Sequence, residues 1–240
     1  MNANSRWQEV IAENMAASSV PGYKRQDVSF QAVQAGMAPT GANGVSGQRS
    51  PWTMPQGTTH TSFAPGEMRY TGVDTDVGIQ GSGFFEIQMP NGALGYTRDG
   101  EFQVNSSGQL TTKQGYPVMG EGGPIQLDRT NGEPITVGPD GVVSQGSTER
   151  GTLKVVTFNK PNLLTAVSGG TFLASDPNLQ KVSNGNPELR QYYLEQANTS
   201  SVAEMANMIT VMRASEANQR VIQMEDDRMG KAITELGNPS

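Results

Sequence analysis

The sequence contains no cysteine and a single histidine, His60, among its 240 residues. The missing cysteine excludes disulfide scaffolds, thiolate catalysis and structural zinc sites of the usual kind. One histidine in a threonine-rich stretch supplies neither a histidine-based metal site nor a catalytic triad, so we interpret His60 as an exposed residue. No 18-residue apolar run exists, and the N-terminus lacks the basic-then-apolar layout of a signal peptide. We therefore expect no enzyme activity, no cofactor, no metal and no membrane insertion.

Basic residues are outnumbered and scattered along the chain. The sequence has 17 basic and 23 acidic residues, a formal charge of −6 and a pI near 4.9. Without a basic cluster the chain cannot follow a phosphate backbone, so nucleic acid is not an expected partner. Asp99 and Glu101 could form a carboxylate pair of the glycosidase kind, but their spacing on a predicted hairpin favours a turn on a solvated face. Only 35% of the residues are hydrophobic, so part of the chain need not pack against itself.

A short amphipathic helix is predicted at the N-terminus. Residues spaced by four and three share one of its faces: Ala3, Trp7, Val10, Asn14 and Ala17. Val20 precedes Pro21 and is pushed towards extended backbone, so we expect the helix to end near Ser18 or Ser19. A helix of about 17 residues is marginal alone in water and needs a partner.

The middle of the chain is predicted to be β structure behind a linker. Residues 34–78 are rich in Gly, Pro, Ser and Thr, which indicates either a disordered linker or an extended segment that orders against neighbouring molecules. From residue 79 to 196, short alternating segments are separated by turn signals such as Asn91-Gly92 and Pro139-Asp140-Gly141. In the segment 84–89, Phe85 and Ile87 share one face and Glu86 lies on the other. This pattern predicts an antiparallel β domain.

A long helix is predicted at the C-terminus, from Ser201 to Leu236. Ser201 and Glu204 match a capping box, and no Gly or Pro interrupts the next 25 residues. Apolar residues then recur at steps of three and four, as in a heptad seam. Such a helix is about 50 Å long, so the short N-terminal helix would cover half of it and other subunits would cover the rest.

Three blocks of the sequence resemble the flagellar rod and hook proteins of bacteria. They are "NMAASSVPGYKR" at residues 14–25, "IQGSGFFEIQMPNGALGYTRDGEFQVNSSGQL" at 79–110 and "SSVAEMANMITVMRASEANQRVI" at 200–222. The resemblance covers nearly the whole chain in the family's order, although Met212 and Ser215 depart from the usual Gln and Tyr. Members of that family usually carry further helical residues ahead of Ala3.

The resemblance implies a structural subunit of the flagellar rod, which polymerises into the hollow shaft that transmits torque from motor to hook. Its implied partners are copies of itself, other rod and hook subunits and the flagellar type III export apparatus. The implied location is the periplasmic part of the basal body, reached without a cleavable signal peptide. The short segment ahead of the last predicted strand favours the proximal rod over the distal rod. The alternative is a stand-alone secreted β-rich module, an adhesin or glycan binder, with a self-contained fold.

The resulting fold class is mainly β with terminal helices: an antiparallel β domain plus a paired, coiled-coil domain of the N- and C-terminal helices. The expected domains are an inner-tube helix at 1–33, the linker at 34–78, the β domain at 79–196 and a second inner-tube helix at 197–240. The expected assembly interface lies on both helices and the turn that follows the first: Trp7, Val10, Asn14, Pro21, Gly22, Tyr23, Met205, Met208, Met212, Ile222, Met229, Ile233 and Leu236.

Overall fold

The computed structural model describes residues 2–34, 53–167, 169–182 and 188–236. The chain divides into two compact units. The first, here called the helical unit, contains Met1–Met15, Asp27–His60 and Ser201–Ser240. The second, the β unit, contains Ala16–Gln26 and Thr61–Ser200.

Two helices and a two-stranded sheet make up the described part of the helical unit: α1 (Asn2–Ala16), α2 (Ser201–Leu236), β1 (Gln26–Gln34) and β2 (Thr53–Thr61). The α2 bounds coincide with those expected from the sequence, since no proline follows the capping residues before Pro239 and the lone Gly230 does not end the helix. Helix α1 ends at Ala16, two or three residues earlier than expected. Ser29 and Thr58 are joined by a hydroxyl–hydroxyl hydrogen bond of 2.9 Å between β1 and β2.

Strand β2 lies inside the range that the composition indicates to be a linker. Its sequence, TMPQGTTHT, has no apolar alternation, so periodicity carries no signal for it. A Gly- and Thr-rich segment still forms a strand where a partner strand supplies the backbone hydrogen bonds. His60 lies in β2 and is exposed, as expected.

The β unit is built from short strands. They are β3 (Met68–Tyr70), β4 (Val77–Gln80), β5 (Phe84–Gln88), β6 (Leu94–Thr97), β7 (Phe102–Val104), β8 (Leu110–Thr112), β9 (Met119–Gly120), β10 (Gly123–Pro124), β11 (Ile135–Val137), β12 (Val142–Gln145), β13 (Thr148–Thr152), β14 (Val155–Phe158), β15 (Thr165–Ala166), β16 (Thr171–Leu173), β17 (Lys181–Val182), β18 (Glu188–Gln191) and β19 (Tyr193–Glu195). A single 3₁₀ turn, Pro161–Leu163, also belongs to the described part of this unit.

Antiparallel pairing dominates the β unit, as the turn signals predict. The largest sheet has six strands in the order β15-β16-β6-β5-β14-β17, and β11-β12-β13 forms a second sheet. The Asn91-Gly92 turn joins β5 to β6, with Gly92 at φ +79°. Two further pairs, β3 with β19 and β4 with β18, join early and late parts of the chain. They bring the residues before α2 next to those that follow β2.

Strand β5 separates two hydrophobic clusters. Phe85 and Ile87 belong to the larger cluster, and Phe84 belongs to the smaller one with Tyr96 and Phe172. The alternation expected from the sequence is therefore present, but both faces of the strand are covered. The polar face carries a buried carboxylate, Glu86.

Glu86 is held by two lysines. Lys154 Nζ and Lys181 Nζ lie 2.7 and 2.9 Å from its two carboxylate oxygens. Burial acts to raise the pKa of Glu86, but the hydrogen bonds and charges of these lysines outweigh it and keep the pKa below its usual value. The pair of lysines thus compensates a charge that burial alone would penalise.

Candidate assembly surface

One face of the N-terminal half of α2 is covered. Glu204 and Val211 are buried, and Met208 and Ser215 are half-buried. Their spacing of four, three and four places them on one side of the helix. The amide of Asn207 donates to Glu204 Oε2 at 3.3 Å, so the carboxylate on this face has a polar neighbour one turn away.

The heptad predicted from the sequence shares Met208 and Ser215 with this covered face. At the other two positions it takes Met205 and Met212, whereas the structure buries their neighbours Glu204 and Val211. In the structure Val211 is 0% exposed and Met212 is 53% exposed. Successive residues point about 100° apart on a helix, so the methionines lie beside the covered face rather than on it.

Two apolar patches on α2 are exposed in the single chain. We define the N-patch as Val202, Met205, Ile209 and Met212, and the C-patch as Ile222, Met229 and Ile233. The N-patch follows spacings of three, four and three along one side of the helix. The C-patch continues the line of the covered face towards the C-terminus. The side chain of Leu236, which the sequence also assigns to the interface, lies outside the described residues.

Helix α1 presents its buried side chains on one face. Val10, Ile11 and Asn14 are buried and Trp7 is half-buried. Within the helical unit, a groove of about 600 Å³ is lined by residues of both helices: Asn4, Ser5, Gln8, Ser215, Asn218, Gln219, Val221 and Ile222. The groove reaches only as far along α2 as Ile222, the first residue of the C-patch.

The turn after α1 is anchored in the β unit through Gly22. This residue has φ +67°, and a Cβ there would lie 2.3 to 2.5 Å from the backbone of Arg98 and Asp99. Its N–H donates to the carbonyl of Glu195 at 2.7 Å. Tyr23 is buried and Pro21 half-buried in the same place. The turn at Pro21, Gly22 and Tyr23 therefore contacts its own chain. Only glycine fits at position 22, because the backbone of Arg98 and Asp99 lies so close.

A buried ion cluster next to this turn joins distant parts of the sequence. Lys24 Nζ lies 2.6 Å from Glu195 Oε1, and Arg98 Nη1 lies 3.2 Å from Glu195 Oε2. Lys24 also donates to the carbonyl of Ala64 at 2.9 Å, and Gly66 N–H donates to Glu195 Oε1 at 2.7 Å. Burial lowers the pKa of Lys24, and the hydrogen bond and charge of Glu195 oppose that shift. Glu195 thus fixes the segment after α1 and the segment before α2 at one point.

None of the three charged residues of this cluster was predicted from the sequence as a site residue. Lys24 lies in the first of the three sequence blocks and Arg98 in the second, whereas Glu195 lies between the second and the third. A usable signal was present, because Glu195 directly follows the apolar strand residues of β19, where a lone charge needs a partner. Its partners are 97 and 171 residues away in sequence.

The carboxyl group expected on a solvated face is buried. Asp99 is 5% exposed, and its Oδ1 accepts the Glu101 N–H at 2.9 Å. Burial raises the pKa of Asp99 to about 6, with that hydrogen bond acting in the opposite direction. Glu101 instead pairs with Lys113 at 3.0 Å, at the surface. Among the described residues, no group of three His, Cys, Asp or Glu side chains could hold a metal ion.

Neither helix, over its described residues, is long and apolar enough to cross a membrane.

The chain matches two family models, and these cover parts of both units. Residues 78–145 match the model described as the flagellar hook protein FlgE/F/G D1 domain, and residues 190–235 match the flagellar basal body rod FlgEFG protein C-terminal model. The first region runs from β4 to β12, and the second contains β19 and nearly all of α2.

Similar proteins match over almost the whole chain. The flagellar basal-body rod protein FlgF of Caulobacter vibrioides is 33% identical over 232 residues, which are 95% of this chain and 91% of that protein. The rod protein FlgG of Buchnera aphidicola from Schizaphis graminum is 31% identical over 240 residues, 92% of this chain and 91% of its own. FlgF of Escherichia coli is 32% identical over 247 residues, with coverage of 94% and 90%. The chain belongs to the flagellar rod and hook protein family.

Proposed function

We propose that this chain is a structural subunit of the bacterial flagellar rod, which polymerises into the hollow shaft that carries torque from motor to hook. The observation that carries this proposal is the exposed N-patch and C-patch on α2, taken together with family membership. A soluble subunit that works alone gains nothing from half-exposed isoleucine and methionine side chains on a single helix. Their burial between subunits would stabilise a polymer.

The two helices form the inner layer of that polymer. Helix α1 has 15 residues and α2 has 36, which correspond to lengths of about 22 and 54 Å. We propose that α1 pairs with the N-terminal half of α2 as a coiled coil, which the shared groove and the buried faces of both helices support. Met229 and Ile233 of the C-patch lie beyond the reach of this groove, so neighbouring subunits cover them. Ile222 and its two companions are each about half exposed or more, and burying them supplies on the order of 1 kcal/mol per side chain and subunit.

The helices and the β unit have different roles in the proposed polymer. Helices α1 and α2 serve as the inner-tube domain. The β unit, Ala16–Gln26 and Thr61–Ser200, serves as the outer domain. The ion cluster at Glu195 fixes the points at which the chain passes between β unit and helices. The role is mechanical and involves no catalysis, and the cluster is a structural joint.

Location and partners come from the same proposal. The relatives are named as basal-body rod proteins, so we place this subunit in the periplasmic rod of the basal body, in contact with copies of itself and with other rod or hook subunits. Export through the flagellar type III apparatus requires no cleavable signal. The short segment between Asp176 and the last strand supports the proximal rod position over the distal one.

Electron microscopy of basal bodies from a strain that lacks the gene tests this function. The membrane ring is expected to persist while the rod is missing or stunted, and the length of the stump identifies the rod position. Reintroducing the natural chain must restore full rods. Complete hook-bearing basal bodies in the deletion strain would contradict the proposal.

A further inference from the structure

A small pocket on the β unit has aromatic walls and a basic side chain. It measures about 220 Å³, and its walls include Phe63, Ser82, Phe84, Arg98, Phe158 and Pro161. Phe63 meets Phe84 edge-on, with ring centroids 5.6 Å apart, and the Arg98 guanidinium lies 5.3 Å from the centroid of Phe84. A cavity of roughly 150 Å³ already accepts a benzene ring, so this pocket has room for one aromatic side chain.

One charged side chain, Arg98, lines the pocket. It pairs with Glu195 and donates to the carbonyls of Ile79 and Gly81, while its buried Nε has no hydrogen-bond partner. The exposed Lys160 directly precedes Pro161 at the rim. An occupant that combines a ring with a negative charge suits this site best.

The same β unit presents such a group on a rigid loop. Tyr70 is 65% exposed, Val73 is 49% exposed, and Asp74 beside them is also exposed. The Tyr70 ring packs against Tyr193 at 5.3 Å. The carbonyl of Tyr192 accepts the N–H of Thr71 at 2.7 Å.

The loop is held in place by an unusual backbone conformation. Tyr192 has φ +68°, and it is the one non-glycine residue with positive φ among the described residues. A bulky side chain in this region is strained and persists only where surrounding contacts fix it. The Tyr192 carbonyl accepts a hydrogen bond from the Thr71 N–H, and the Tyr192 N–H donates to the carbonyl of Asp76. These two bonds hold Tyr192 in this conformation. The loop is therefore prepared for docking, with little ordering left to do on contact.

We propose that the Tyr70–Asp74 loop of one copy of this chain docks into the aromatic pocket of the next copy, with Tyr70 among the phenylalanines and Asp74 towards Arg98 and Lys160. This inference rests on the proposed polymerisation and names a contact for the β units. Pocket and loop are different surfaces of one chain, so the contact is head-to-tail and repeats without closing on itself. Such a contact suits an axial polymer.

The natural absence of cysteine makes a direct test possible. A chain carrying Val73→Cys and Ser82→Cys, which keeps Tyr70 and Asp74, is supplied as the only copy in cells and treated in isolated basal bodies with a short bis-maleimide linker. We expect a ladder of dimers, trimers and larger species on denaturing gels. Each single-cysteine variant should give no ladder, because each copy then lacks one end of the link.

Each of the other possible results contradicts the proposed docking. A dimer band alone indicates a symmetric contact, and a link to a different rod protein indicates another occupant; either overturns the inference. Rods that assemble without any link also overturn it while leaving the proposed function intact. If the natural chain forms no rods in the same cells, that result contradicts the proposed function and also this inference, which depends on it.

A second variant covers the case in which the cysteine pair itself prevents assembly. Ser82→Trp places a ring at the pocket rim and should reduce the number of complete rods at least tenfold, with the β unit still folded by circular dichroism. The matched control is Ser106→Trp, on the exposed turn after β7, which should leave rod number unchanged. Equal rod numbers in both variants would overturn the proposed docking.

Discussion

Replacing Glu195 by glutamine tests the ion cluster inside the β unit, which ties the segment after α1 to the segment before α2. Glutamine has nearly the same shape, so it keeps an oxygen for the Gly66 N–H while losing the negative charge. Lys24 and Arg98 then remain buried without a counter-charge; their side chains are 1% and 7% exposed. Removing one partner of a buried ion pair destabilises a protein by about 3–5 kcal/mol, because the remaining charge is desolvated and unpaired.

The expected effect is large enough to measure by urea unfolding. Circular dichroism should show the free energy of unfolding of the β unit reduced by about 3–5 kcal/mol, and its Tm lowered by about 6–20 °C. The matched control is Glu188→Gln on β18, where the carboxylate is 58% exposed and lies 3.7 Å from Arg190. That variant should change stability by less than about 0.5 kcal/mol. A loss below about 1 kcal/mol for Glu195→Gln would refute the claim that the cluster ties these two segments together.

Substitutions of Gly22, of Asp99 and on helix α2 test three further features of the structure. Gly22→Ala should destabilise the β unit by about 2–4 kcal/mol, because alanine is strained at this left-handed φ and its Cβ clashes with backbone. The control is Gly92→Ala, where φ is +79° but the surrounding space is open. It should reduce the free energy of unfolding by only about 1 kcal/mol. Because burial raises the pKa of Asp99 to about 6, the fold binds that proton more tightly than the unfolded chain does, so stability falls as pH rises from about 4 to about 6. Asp99→Asn should remove this fall, as urea midpoints at about pH 5 and about pH 7.5 would show. Val211→Asp should unfold the helical unit, whereas Met212→Asp should leave the monomer within about 0.5 kcal/mol and block rod assembly.

One result would contradict each of these three predictions. Equal losses for the two glycine variants would mean that the close approach to Arg98 is unimportant. A pH profile unchanged by Asp99→Asn would remove this carboxyl group as the source of the effect. Normal rods from Met212→Asp would exclude the N-patch from the interface. Ala217→Asp, about 140° around the helix from Met212, is the matched control and should assemble normally.

Local signals predicted the secondary structure that depends on neighbouring residues. The α2 bounds, Ser201 and Leu236, follow from a capping box and the absence of Pro and strong breakers, which are local properties. The Asn91-Gly92 hairpin follows from turn chemistry in the same way. These features need no knowledge of the rest of the fold.

Features that depend on distant contacts could not be predicted. Burial of Asp99 depends on the segments that pack over it, and its position two residues from Glu101 gives no hint of that. The covered face of α2 includes Glu204, which hydrophobic periodicity assigns to the outside. Strand β2 has too few apolar residues to show a period. For Asp99 and Glu204, a polar residue takes part in packing, and apolar periodicity cannot predict such a residue.

Thiol labelling of single cysteines on α2 tests the central claim most directly. Met212→Cys and Ile222→Cys chains, each supplied as the only copy, are treated with a maleimide reagent as purified monomer and within isolated basal bodies. Both side chains are about half exposed in the single chain, so both thiols should react rapidly in the monomer. In basal bodies both should be protected, and acid dissociation should restore their reactivity. Rapid labelling of both thiols within intact basal bodies would contradict the assignment of these patches to the subunit interface.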